Sequence, residues 1–414
     1  MKNLFEDFPE HDELLDWYGK NGSNMVHEVN GHFHTPYSFS AFNNLKQVFQ
    51  MADKEKIAIL GINDFYTTAG YEEFTELCET FNKFPLYNIE FMGLLREEQE
   101  KGIRVNDPAN PGRIYFSGKG LDFPVNQENK SFSTISDLKK ESLLQTREMV
   151  EKASQHLIKT NHKLALDFDE ILHGLTKGML RERHIAKAIR LKVFEIYTSD
   201  ESRKSALTSI FAGKEPVSDL LNNAALEDEI RSRILKSGGP AYVKEDPKAF
   251  LDIHDVIETI IDAGGIPTYP VLLDDKSDNF TEYEKDMESL FVELTSRKIY
   301  SIELIPGRNA FNRLKDFSSF FHDRKFIITY GTEHNTPELI PLKTETRGGR
   351  PLDEELKAIS FEGACVIAAH QYLRSKKRMA YLNEDGEPRT QEIDEFIELG
   401  NAVIEYFLQS HGKG

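Results

Sequence analysis

Short apolar runs alternate with helical stretches from Val29 to about Gly120. "IAILGINDF" (57–65) reads as a buried strand running into a loop, "GYEEFTELCETFNKF" as a helix, "PLYNIEFMG" (85–93) as a second strand and "RIYFSGKGLDF" (113–123) as a third. Strands spaced by helices of this length predict βα units and a parallel sheet or barrel. From about Ser133 the texture changes. "ISDLKKESLLQTREMVEKASQHLIKTNH" keeps helical periodicity with almost no turn signals, and helical character continues to "LEDEIRSRILKSGG". The βα texture then returns: "DIHDVIETIIDAGGIPTYPVLL" (252–273) is helix, Gly-Gly turn and strand, "IYSIELIPGRN" (299–309) strand and loop, and "KFIITYGTEHNTPEL" (325–339) strand and polar loop. Two further helices follow Asp353. There is no internal repeat and no low-complexity run.

The pattern predicts an α/β fold: one βα barrel interrupted by a helical insert and extended by C-terminal helices. The expected boundaries are 25–135 with 240–345 for the barrel, 136–239 for the insertion and 346–414 for the extension. Barrel enzymes collect their chemistry at the carboxyl ends of the strands. Polar residues recur there: His32 and His34, Asn63 and Asp64, Glu90, Tyr269, Arg308 and Asn309, Glu333 and His334.

His32 and His34 are two apart on a strand, so both face one side and both reach one ion. Asp64 reads equally as a site carboxylate and as an Asx turn or helix cap. Glu90 sits inside an apolar run, where a carboxylate needs a cation or several donors. Glu333 offers a late-strand carboxylate, with a helix cap as the plainer alternative. Arg308 reads as an anion binder or as a loop arginine. "RERHIAKAIRLK" (181–192) is a basic helix that is either a solvated face or an anion-attracting overhang, with Arg183 and His184 at its start.

Composition narrows the classes. The chain has 414 residues, a net charge of −18 and two cysteines. The negative balance disfavours duplex nucleic acid and anionic membrane as partners. No run of apolar residues is long enough for a membrane span. Cys78 and Cys365 fit a reducing compartment, and the acidic N-terminus is unlike a signal peptide, so a cytoplasmic location is expected.

The order H-x-H, "GINDF", "NIEF", "GGIPTYP", "YGTEHN" resembles the polymerase and histidinol phosphatase (PHP) family. "RERHIAKAI" and "LKSGGPAYVKED" are similar to stretches of the branch that hydrolyses nucleotide and oligonucleotide phosphates. The likeness runs over roughly 28–340. It implies a distorted (βα)7-type TIM-like barrel and a cluster of three metals. His32, His34, Asp64 and Glu90 match the family pattern, and Glu333 stands where it has Asp. Phe39, Phe65, Tyr115, Tyr269 and Asn335 stand where it has an acid or histidines. The surviving set, His32, His34, Glu90 and Glu333, with His334 one residue from the family's last ligand, implies a reduced, mononuclear site for Zn²⁺ or Mn²⁺.

The expected function is metal-dependent hydrolysis of a small phosphate ester or nucleotide. Asp64, Arg308 and Tyr269 are the expected catalytic residues, and Tyr115, Arg183, His184 and Asn309 the expected substrate contacts. Two alternatives stand beside it: a non-catalytic barrel acting as a binding scaffold, and amidohydrolase-, lactonase- or isomerase-like chemistry on the same barrel.

Overall fold

The computed structural model describes residues 3–23, 25–245, 247–274 and 279–411. Seven strands pair in chain order: β1 (Val29–Phe33), β2 (Ile59–Phe65), β3 (Phe84–Leu94), β4 (Arg113–Lys119), β5 (Ile266–Val271), β6 (Ser301–Leu304) and β7 (Ile327–Tyr330). The sheet curls until its ends meet. His34 N donates to Glu333 O at 2.8 Å, and Thr332 N and Glu333 N donate to His32 O at 2.9 and 3.0 Å. The result is a nearly closed, distorted TIM-like barrel. The helices Leu45–Glu55, Tyr71–Phe81, Ile253–Asp262, Met287–Ser296 and Phe311–His322 pack their apolar faces around it.

One strand departs from the parallel expectation. β4 runs antiparallel to both β3 and β5. The link from β3 contains only the five-residue helix Arg96–Glu100, which is too short to carry a crossover over the sheet face. The chain therefore folds back beside β3. Reversal puts the start of β4, with Tyr115, at the mouth of the barrel and its end, with Lys119, deep inside.

The two faces of the strands alternate as the pleat demands. The inward positions are unusually polar. Asn30, His32, Asn63, Asn88, Glu90, Ser117, Lys119, Thr268, Ser301 and Glu303 are all buried, and most bond to one another across strands. The outward positions are mostly apolar, but Asp64 and Tyr269 lie among them. Tyr269, expected at the site, points out of the barrel. Its partner Ile302 also faces outward, whereas the neighbouring Thr268 bonds inward to Ser301. The Tyr269 hydroxyl donates to Glu284 at 2.6 Å, and Glu284 also accepts from Leu272 N and Leu273 N.

The insertion has a core of its own, including Met149, Leu157, Ile185, Ile189, Leu207, Ile230 and Leu235. The C-terminal helices Glu354–Ser375 and Ile393–His411 pack on each other and, with Phe5, Phe8 and Leu14, share a core with Val29, Ile59, Phe84, Ile266 and Ile327. Those five are the first residues of β1, β2, β3, β5 and β7. The C-terminal extension thus closes the amino end of the barrel and leaves the carboxyl end open. Contact is close: a Cβ on Gly363 would lie 2.0 Å from Ile328 O. Among the described residues no helix is long and apolar enough to cross a membrane.

Two tests follow from this packing. Gly363→Ala should lower stability by about 1–3 kcal/mol, because the added methyl forces the helix off β7; an unchanged urea midpoint would contradict that contact. Burial pushes the Glu284 carboxyl up to about 7 from 4.5, against the lowering effect of Tyr269 and the two N–H groups. The folded state therefore holds this proton more tightly than the unfolded chain. Its stabilising contribution is present below pH 4.5 and is lost as pH rises through about 7. Glu284→Gln should gain on the wild type by up to about 3 kcal/mol between pH 4.5 and 8. Urea unfolding curves at both pH values read this difference, and a constant gap would refute it.

Candidate metal centre

β1 places His32 on its inward face, and His34 follows just beyond the strand. Glu90 projects from β3. Glu333 arrives from the segment after β7, whose close approach depends on Gly331: a Cβ there would lie 2.3 Å from His32 Cβ. Glu333 and His334 both have left-handed φ values, 67° and 55°. Two successive non-glycine residues in that region are strained, a condition that clusters at functional sites. His32, His34, Glu90 and Glu333 each present a ligand atom, and these atoms all lie within 4.8 Å of one another.

Hydrogen bonding fixes how the histidines face. His32 Nδ1 lies 2.9 Å from Glu303 Oε2. An ionised carboxylate only accepts, so Nδ1 carries the proton and Nε2 presents a lone pair. Ser38 Oγ donates to Asp64 Oδ1, and so accepts from His34 Nδ1 at 3.3 Å. His34 Nε2 therefore also presents a lone pair. The two Nε2 atoms are 3.3 Å apart, and Glu90 Oε2 lies 3.0 Å from His34 Nε2. Glu90 Oε2 is buried and has no hydrogen-bond partner. Three acceptors thus converge; Asn63 Nδ2 lies 3.1 Å from His32 Nε2 and equally far from Nδ1, and no donor reaches Glu90 Oε2. A divalent cation satisfies all three, and two imidazoles with two carboxylates suit Zn²⁺ or Mn²⁺, so the residues present fit the ion.

Electrostatics agree with this fit. Burial pushes the Glu90 carboxyl well above the usual range, so without a cation it leans toward the protonated form. Burial also lowers the His34 pKa, which keeps that ligand neutral. For Glu333, burial is outweighed by Arg308 and the two histidines, and the net shift is downward. Arg308 Nη2 is 2.7 Å from Glu333 Oε2, and Asn335 Nδ2 donates to Oε1 at 2.5 Å.

His32, Glu90 and Glu333 form part of the wall of a cavity of about 410 Å³ between the barrel mouth and the helical insertion, with His34 buried behind them. Among the described residues, Arg113, Arg181, Arg183, Arg231, Lys236 and Arg308 line it, with Glu90, Asp107, Glu182, Glu245, Glu303 and Glu333. Most of these cations already have a carboxylate. Arg113 pairs with Glu245, Arg183 with Asp228, and Arg231 and Lys236 with Glu182. Arg181 has no carboxylate partner among the described residues. Its guanidinium sits 4.6 Å above the Phe65 ring, whose other face stacks on His34 at 4.9 Å.

The expected contacts divide. Tyr115, Arg183 and Arg308 line the cavity, as do Phe39 and Phe65, two residues at family ligand positions. Asp64 is not in the cavity wall. It faces the other side of β2 and accepts from Thr35 N, Thr35 Oγ1 and Ser38 Oγ, so it holds the turn that carries His34. His184 is buried within the insertion and accepts from Arg181 N at 3.0 Å, and burial lowers its pKa to about 3. Asn309 is buried and donates to Asp274 Oδ1 and Leu272 O. His334 is not brought to the ligand group. Its Nε2 donates to Ile340 O at 2.9 Å and its Nδ1 accepts from Thr332 Oγ1 at 2.8 Å, which leaves no free atom. Sequence reasoning missed Glu303, Lys119 and Arg181. Glu303 carried the same signal as Glu90, a lone carboxylate inside an apolar strand.

No protein-family model matches the chain, and no curated protein matches it in sequence. Solved structures do. A protein from Bifidobacterium adolescentis described as a metal-dependent phosphoesterase matches at 18% identity and a TM-score of 0.52, over 81% of this chain and 96% of its own. An amidohydrolase from Chromobacterium violaceum, crystallised with sulfate and without metal, matches at 16% and 0.50, over 80% and 96%. At these identities the likeness is one of fold: the chain adopts the barrel architecture found in metal-dependent phosphoesterase and amidohydrolase structures.

Proposed function

We propose that this protein is a metal-dependent hydrolase of small phosphate esters, nucleotides included, working through one divalent ion held by His32, His34, Glu90 and Glu333. The observation that carries this reading is the convergence of His32 Nε2, His34 Nε2 and Glu90 Oε2, the last without any hydrogen-bond donor, beside a cavity lined by arginines and carboxylates. When bound, the ion supplies Lewis-acid polarisation and activation of water at neutral pH.

The chain's own groups supply the rest. Arg181, without a carboxylate and stacked on Phe65, is the readiest donor pair for a substrate anion. Arg308 stands between Glu333 and the open cavity, where it steadies charge building on a leaving oxygen. Tyr115 presents its ring to the cavity beside Phe65 and offers a hydroxyl to a bound ligand. Asp64, through Ser38, keeps His34 turned so that Nε2 faces the ion. A cavity of about 410 Å³ suits a small molecule rather than a polymer.

A second reading, hydrolysis at a carbonyl centre, draws on the single ligand set. One ion lacks the two-metal clamp that favours in-line phosphoryl displacement. Amides and lactones therefore belong in the same screen.

Metal analysis should find about one Zn²⁺ or Mn²⁺ per chain, lost in His32→Ala. The loaded protein should hydrolyse members of a phosphoester panel while the chelated protein does not. Equal inertness of both on phosphoesters, with turnover of amides or lactones, would move the assignment to the second reading. Arg181→Met should raise KM for the best phosphoester by about 10- to 100-fold with a smaller change in kcat, the worth of one charge-assisted hydrogen bond. An unchanged KM would take Arg181 out of substrate binding.

A further inference from the structure

Beneath the ligand group lies an ion pair that the proposed hydrolysis does not use. Lys119 is fully buried at the inner end of β4, and Glu303 is buried on β6. The ammonium has three neighbours: Glu303 Oε2 at 2.5 Å, Asn63 Oδ1 at 3.3 Å and Gly31 O at 3.5 Å. Each of its three N–H groups therefore has an acceptor within reach. Glu303 is held just as fully. Ser117 Oγ donates to Oε1, while Lys119 and His32 Nδ1 share Oε2. Three donors on two oxygens leave the carboxylate no rotation.

A buried ion pair is a poor way to stabilise a barrel, since apolar side chains of similar volume do as well or better. This pair is also aimed. The oxygen that Lys119 grips is the one that takes the His32 proton. We propose that Lys119 and Glu303 are positioning residues for the metal centre: a fixed internal ion pair that holds His32 in the Nδ1–H form with Nε2 turned toward His34 and Glu90. The site's grip on its ion then depends on a lysine that never touches it. The proposal rests on the reading that this group binds a divalent ion.

Partners that orient a ligating histidine typically affect metal affinity by about 10- to 100-fold. Zn²⁺ affinity by chelator competition and the absorption spectrum of the Co²⁺-loaded protein read this directly. Glu303→Gln should bind Zn²⁺ about 10- to 100-fold more weakly, with an altered cobalt spectrum. That variant leaves Lys119 buried without its counter-charge and can fail to fold. The double variant Lys119→Met with Glu303→Gln removes both charges, and should keep a urea midpoint close to wild type in the metal-free state while showing the same loss of affinity. Wild-type affinity and an unchanged cobalt spectrum in the folded double variant overturn the proposal alone. Failure of the wild type to bind any divalent ion overturns the metal reading and this proposal with it.

Discussion

Three acceptor atoms converging on one point set the terms for the rest of this molecule. His32 Nε2, His34 Nε2 and Glu90 Oε2 are each aimed by something else: Glu303 for His32, Ser38 and Asp64 for His34, and the β3 pleat for Glu90. In a buried site such an arrangement is repulsive unless a cation occupies the centre or Glu90 takes a proton. The surrounding scaffold spends stability to keep it. Left-handed backbone at Glu333 and His334, the glycine that lets this segment press on His32, and the cross-strand polar network of the barrel interior all serve that convergence.

A polar interior must be closed from water at one end, and here the tail closes it. The helices Glu354–Ser375 and Ile393–His411 pack under the first residues of five strands and seal the amino end. The opposite end stays open and is roofed by the insertion, which brings Arg181, Arg183 and Arg231 over the ligand group. Segments far apart in the chain, the insertion and the tail, divide the labour between mouth and floor.

Much of this was legible in the sequence, and the failures share a cause. Six of the seven strands are visible as apolar runs, the first is marked by its histidines, and spacing alone makes H-x-H a chelating pair. Glu90 stood out because a carboxylate inside such a run demands a partner. What a linear pattern lacks is direction across the sheet. The reversal of β4 depends on the length of the link before it, and without that reversal neither Tyr115 at the mouth nor Lys119 at depth can be placed. It also lacks absolute phase. Tyr269 and Asp64 are each one residue away from an inward position, so the pleat turns both away from the cavity. Glu303 bore the same mark as Glu90 but sat in a run read for its loop rather than its strand.

Two phenylalanines of the cavity wall gain meaning from their neighbours. Phe65 lies between the His34 ring and the Arg181 guanidinium, and Phe39 touches His184 and lies under Arg183 at 5.7 Å. An imidazole in place of Phe65 or an acid in place of Phe39 would bind a cation through its own lone pairs. A phenyl ring instead offers its face to one, and a cation held on an aromatic face keeps its donors free at the rim. Phe65 and Phe39 thus serve as platforms for Arg181 and Arg183.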